Sequence, residues 1–150
     1  MALHRTFMRS ALAQAQAALQ EGEVPVGAVI VGPGGEVLSE AHNLRESQHD
    51  PTAHAEMLAL RAAGNRLGNW RLQGATLYVT LEPCPMCAAA IVAARVERVV
   101  FGAQDPRLGA AGSRLHLFAE LEQEAPVDVI GGVMEEEASA LLRSFFADRR

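Results

Sequence analysis

Two short segments hold the residues whose types and spacing could do chemistry: His54-Ala55-Glu56 and Pro83-Cys84-Pro85-Met86-Cys87. Cys84 and Cys87 are the 2 cysteines of the chain, three positions apart, so in the first turn of a helix they share a face. The free N–H groups and partial positive charge of a helix start favour thiolate, the form that binds metal. One imidazole nitrogen from His54 completes a Cys₂His set, which suits zinc. Three protein ligands leave the fourth tetrahedral position to water, as in catalytic rather than structural zinc sites. Zinc lowers the pKa of bound water to about 7, and a carboxylate such as Glu56 could take that proton and return it to a substrate. Positions two apart on a regular helix do not face each other, so His54 and Glu56 can cooperate only at a helix end.

Each segment alone has an ordinary reading. A lone C-x-x-C can be a redox dithiol or half of a zinc ribbon, and a lone histidine on an apolar helix is usually a core residue. No second C-x-x-C completes a ribbon here, and nothing thioredoxin-like precedes the pair. Together and in this order, the segments match the H-x-E…P-C-x-x-C signature of zinc deaminases that act on nucleobases. A non-catalytic zinc or RNA-binding module is the competing reading from another class; Glu56 speaks against it, because a structural site needs no carboxylate there.

Both segments must sit at element ends. Helical spacing of Phe7, Met8, Leu12, Ala15 and Leu19 predicts a first helix over His4–Gln20. Val24–Val31 reads as a buried strand, Gly32-Pro33-Gly34-Gly35 as a turn, and Glu36–Ala41 as the second arm of a hairpin. Leu44–Pro51 is polar and loop-like. Asp50-Pro51-Thr52 predicts a helix start, with the helix running over Thr52–Ala63 and stopping near Gly64. Ala75–Leu81 reads as a central strand that delivers Cys84 to a helix ending near Ala94. Strands over Arg98–Gly102 and Val127–Ile130 follow, separated by a glycine-containing loop over Ala103–Ser113. A last helix covers Met134–Asp148, with Ala138, Leu141, Leu142, Phe145 and Phe146 expected on its buried face. A hairpin followed by strand–helix alternation implies an α/β fold, a three-layer α/β/α sandwich over a mixed sheet, in a single domain over residues 1–150.

Composition sets the class. The chain has 150 residues, 49% hydrophobic and 21% charged, ordinary for a globular domain. Its first 20 residues lack the continuous apolar core of a secretory signal, and no apolar run is long enough to span a bilayer, so a cytoplasmic protein is expected. A structural disulfide is not expected in that compartment. The net charge of -5 argues against a broad nucleic-acid footprint. All 13 cationic residues are arginine, which suits phosphate contact but also fits a codon bias. Whether Arg45, Arg107, Arg143, Arg149 and Arg150 form one patch is a question of tertiary structure.

Beyond the two segments, EVPVGA (23–28), HDPTAHAEMLALR (49–61), NWRL (69–72), TLYVTLEPCPMC (76–87), RVVFGAQD (98–105) and GAAGS (109–113) carry a likeness over nearly the whole chain. On these motifs the chain resembles the bacterial tRNA-specific adenosine deaminases of the zinc cytidine-deaminase superfamily. The resemblance implies a five-stranded sheet with helices on both faces. It implies one zinc ion per subunit on His54, Cys84 and Cys87, with Glu56 as proton shuttle. It also implies that Asn43 hydrogen-bonds the flipped base, that Val26 packs on its face, and that Asp105 contacts the nucleotide backbone. Read without the resemblance, Asn43 is a turn residue and Asp105 a loop cap. His42 stands where relatives often carry an aromatic residue. The expected activity is hydrolytic deamination of adenosine to inosine at the wobble position of a tRNA anticodon loop, by attack on C6, in a homodimer whose sites are completed by the neighbouring subunit. Deamination of a free base or nucleoside, such as guanine or cytosine, is the alternative, favoured by the acidic charge; FGAQD followed by GAAGS favours the tRNA substrate.

Overall fold

The hairpin and the strand–helix alternation both form. The computed structural model describes residues 2–149, within which the chain makes five strands and six helices. In chain order these are α1 (Ala2–Gln20), β1 (Gly27–Val31), β2 (Val37–His42), α2 (Arg45–Gln48), α3 (Ala55–Leu67), β3 (Thr76–Leu81), α4 (Pro85–Ala93), β4 (Arg98–Ala103), α5 (Leu117–Glu120), β5 (Asp128–Ile130) and α6 (Glu135–Ala147). The sheet order is β2-β1-β3-β4-β5, antiparallel on both sides of β1 and parallel from β3 onward. None of the described helices is long and apolar enough to cross a membrane.

Period-2 alternation along the strands divides the core in two. Ala28, Ile30, Leu77, Val79, Val99 and Phe101 face α3 and α4, whereas Val29, Val31, Tyr78 and Val100 face the layer of α1 and α6. Both sides are apolar because every central strand is covered twice, which gives the three-layer α/β/α sandwich expected from the sequence. On α1 the buried positions are Met8, Ala11, Ala15 and Ala18, a stripe rotated from the larger residues towards alanine. Close approach explains the rotation: a Cβ on Gly27 would lie 2.0 Å from the Ala11 carbonyl oxygen, so the α1 backbone rests directly on β1.

Several expected boundaries move, each for a local reason. β1 begins at Gly27, not Val24, because the Gly27 N–H is spent on Thr80 Oγ1 and the segment before it turns through a Val26 N–H to Val24 carbonyl bond. The segment read as loop over 44–51 contains the short helix α2. α3 starts at Ala55 instead of Thr52 because Asp50 accepts hydrogen bonds from the Thr52 N–H (2.8 Å) and hydroxyl (2.7 Å), which closes a turn ahead of the helix. At the other end, α3 runs through Gly64, a residue a helix tolerates at about 1 kcal/mol. It stops at Gly68, whose φ of 65° is the left-handed C-cap that glycine favours.

Candidate active site

The parallel pair β3–β4 and the antiparallel β1 put three strand ends on one edge of the sheet: Gly27, Leu81 and Ala103. Clefts outside the carboxyl ends of parallel strands are the usual binding position in α/β folds. A cavity of about 450 Å³ opens there, lined at its base by Val26, Asn43, His54, Glu56, Glu82 and Cys84.

His54 and Cys84 reach this cavity by the same device. Each is the residue before the first turn of its helix, with extended backbone (φ -73°, ψ 151° and φ -75°, ψ 172°), and neither side chain caps its own helix. Pro85 follows Cys84 at the position where a helix tolerates proline. The extended backbone at His54 also removes the spacing objection, since Glu56 lies in the first turn and His54 lies outside it. α3 and α4 thus point two positive helix ends at one spot, where thiolate is favoured.

The donor atoms of His54, Cys84 and Cys87 all lie within 4.8 Å of one another, and both cysteines are free. Tetrahedral zinc with bonds of about 2.3 Å to sulfur and 2.05 Å to nitrogen separates the two by about 3.5 Å; His54 Nδ1 lies 3.6 Å from Cys84 Sγ and 3.5 Å from Cys87 Sγ. The residues fit a zinc ion. Their proton affinities agree: a hydrogen bond from the Cys87 thiol, against the opposing effect of burial and with help from His54, brings Cys84 down to about 4. The same bond to Cys84, with burial, pushes Cys87 up, and the Cys84 contact raises His54 against its burial. Glu56, 4% exposed, is raised to about 7 by burial, with the His54 charge opposing.

Among the remaining expected residues, Asn43 is buried beside the cavity; its Oδ1 accepts from the Arg45 N–H (3.1 Å) and its Nδ2 donates to the Val24 carbonyl (3.3 Å). One amide hydrogen is left for a ligand. Val26 lines the wall, 8% exposed. Asp105 lines the mouth, where its Oδ1 also caps the Arg107 and Leu108 N–H groups. His42 turns away from the cavity to Gln14 (2.9 Å) and Glu21 (3.1 Å) on the α1 side.

Sequence reasoning gave several further residues no place in the site. Arg45 and Arg107 stand at the mouth. Leu142 and Phe146, one helical turn apart on α6, also line it; Phe146 is 52% exposed, not buried as its spacing suggested. Arg143 pairs with Glu136 and Arg149 packs on Phe145, while Arg150 lies outside the described residues. Two buried carboxylates support the rims. Glu23 accepts from the Glu46 (3.0 Å) and Ser47 (2.8 Å) N–H groups of α2, and Glu82 accepts from the 105–113 loop. For both, burial raises proton affinity but the hydrogen bonds outweigh it and hold the carboxyl below the usual range. A charged residue at the edge of an apolar strand run was the signal that could have found them.

Residues 1–103 match the family described as the cytidine and deoxycytidylate deaminase zinc-binding region. The chain is 51% identical over 144 residues to a tRNA-specific adenosine deaminase of Bacillus subtilis, covering 96% of this chain and 89% of that one. A solved structure from work on A-to-I editing by tRNA:A34 deaminases at the wobble position of transfer RNA superposes with a TM-score of 0.87 at 45% identity, covering 91% and 99% of the two chains. A guanine deaminase from Bacillus subtilis superposes with a TM-score of 0.66 at 38% identity, covering 82% and 78%.

Proposed function

Since the chain belongs to the cytidine and deoxycytidylate deaminase zinc-binding family, we propose that it deaminates adenosine to inosine at the wobble position of a tRNA anticodon loop. It is a zinc-dependent hydrolytic deaminase. The observation that carries the chemistry is the meeting of His54, Cys84 and Cys87 at zinc-like separations beside a buried glutamate. The likeness to a tRNA-specific adenosine deaminase supports the substrate.

His54, Cys84 and Cys87 would hold the ion, which supplies a Lewis acid that makes water a nucleophile at neutral pH. Glu56 does the proton work. Its carboxylate takes a proton from the attacking water and gives it to N1 of adenine as oxygen bonds to C6. Glu56 then takes the second water proton and delivers it to the exocyclic nitrogen. The C6–N bond breaks and ammonia leaves; adenosine plus water becomes inosine plus ammonia. A carboxyl within reach of both the water and the base can accept and then donate the same proton. Asn43 offers its free amide hydrogen to the base, Val26 an apolar wall, and Asp105 with Arg45 and Arg107 the contacts to the sugar–phosphate chain. A single-stranded loop fits, because its bases splay out at low cost.

The active unit is a homodimer. α4 is apolar on every side, yet its Ala89 and Ala93 are exposed, and a helix apolar all round is a buried one. A second copy over that face would bury it beside the metal donors. Two free, metal-fitted thiols suit a reducing compartment such as the cytoplasm.

The test compares inosine formation in an anticodon stem-loop RNA with ammonia release from free guanine and cytosine. Inosine in the RNA with no turnover of the bases is expected. Turnover of guanine with none of the RNA would transfer the chain to the substrate class of the guanine deaminase it also resembles.

A further inference from the structure

Glu82 is buried to 2% exposure immediately after β3, and none of the steps above uses it. Its backbone N–H is bonded to the Ala103 carbonyl (2.9 Å), which ties it to the end of β4. Its carboxylate has no cationic partner among the described residues. Instead Oε1 accepts from the Asp105 N–H (3.0 Å) and the Ser113 hydroxyl, and Oε2 accepts from the N–H groups of Ala111 (2.9 Å) and Ser113 (3.1 Å). Four donors from one loop close around one carboxylate, in the manner of a backbone anion nest.

The loop depends on this acceptor. No strand or helix spans residues 104–116; several of its N–H groups pair within the loop or with the Pro83 carbonyl, while those of Asp105, Ala111 and Ser113 find their acceptor in Glu82. The fit is mutual: a Cβ on Gly109 would lie 2.4 Å from Glu82 Cδ and 2.4 Å from the Asp105 carbonyl oxygen. This explains Gly109 of GAAGS, whereas Gly112 serves its φ of 124°. The outer side of the loop, Gln104 to Leu108, lines the mouth of the cavity. Order passes outward in two steps, because the Asp105 held by Glu82 itself caps the Arg107 and Leu108 N–H groups. Glu82 also precedes Cys84 by two residues, so one strand end sets both the metal donors and the loop.

We propose that Glu82 is a positioning residue for the substrate: its carboxylate is the template that places Asp105 and Arg107 at the cavity mouth in register with the catalytic centre. The inference rests on the proposed RNA substrate for its kinetic readout, and on the loop geometry alone for its structural one.

The test uses the full, zinc-loaded chain and Glu82→Gln. Glutamine keeps the shape but offers an NH₂ where two donors need an acceptor. One zinc per chain is expected to remain, kcat for an anticodon stem-loop to stay within about threefold, and KM to rise about 10- to 100-fold, the range a misplaced binding contact commands. Amide exchange should accelerate at residues 105, 111 and 113 while α3 and α4 stay protected. Ser113→Ala, which removes only the hydroxyl donor, should raise KM less, and adding it to Glu82→Gln should add little; it keeps the inference testable if the glutamine variant does not fold. An unchanged KM, a fall in kcat at constant KM, or loss of zinc would each overturn the positioning role. If the unmodified chain does not deaminate the stem-loop, the substrate assignment fails, and unchanged exchange at 105, 111 and 113 in the variant would still defeat the role of Glu82.

Discussion

Replacing Glu56 by glutamine should have opposite effects on turnover and on the stability of the metal-free protein. The carboxylate is buried, and burial raises it to about 7. In the unfolded chain it titrates near the ordinary value of 4.5. Below that value both states hold the proton and burial of the neutral acid is cheap. Between 4.5 and about 7 the unfolded chain releases the proton while the fold retains it, so the metal-free protein loses stability as pH rises through this window. The difference corresponds to roughly 3 kcal/mol at pH 8. Glutamine has no proton to lose, so Glu56→Gln should stabilise the chelator-treated protein by about that amount at pH 8 and by almost nothing at pH 4. Turnover should move the other way: general acid–base catalysis contributes about 10²- to 10⁴-fold, and a group serving two transfers belongs at the upper end. The assay pairs urea midpoints of metal-free protein at both pH values with single-turnover inosine formation by zinc-loaded protein. A variant that turns over within tenfold of the native rate would remove Glu56 from the chemistry. A variant no more stable than native at pH 8 would show that burial does not control the carboxyl.

Cys87→Ala takes away a fully buried donor, so zinc should fall well below one per chain; with binding coupled to folding, Tm should drop by about 6–12 °C, and metal analysis with calorimetry checks both. Glu23→Gln leaves the Glu46 and Ser47 N–H groups with one good acceptor between them, which should cost about 1–3 kcal/mol at pH 7. Because hydrogen bonds hold Glu23 below the usual range, its contribution is present above the ordinary glutamate value and lost as pH falls, so native and variant urea midpoints should converge towards pH 3. Ala89→Glu puts a charge on the exposed apolar side of α4 and should give a folded monomer by sedimentation; a native dimer unaffected by it would place the interface elsewhere.

The legible parts of the site are those set within one turn of chain. Cys84 and Cys87 share a face by spacing alone, and Pro85 marks the helix start they require. The start of α3 was less legible, because Asp50 could cap a helix or close a turn, and only packing decides which. Leu142 and Phe146 follow the same apolar periodicity as the buried Ala138 and Phe145, yet they face the cavity; periodicity marks a stripe and does not say what lies against it.

Residue types and order by themselves determined the alternation that makes the sandwich, the donor set that suits zinc, and the presence of a glutamate two residues from one of those donors. Tertiary structure decided the rest. His54 and Cys84 are 30 positions apart and meet because the sheet order brings the starts of α3 and α4 together. Arg45 and Arg107 reach the same mouth because Glu23 and Glu82 accept hydrogen bonds from the segments that carry them. Those choices depend on which buried acceptor an unpaired N–H finds across the fold, and local chain pattern carries no record of that.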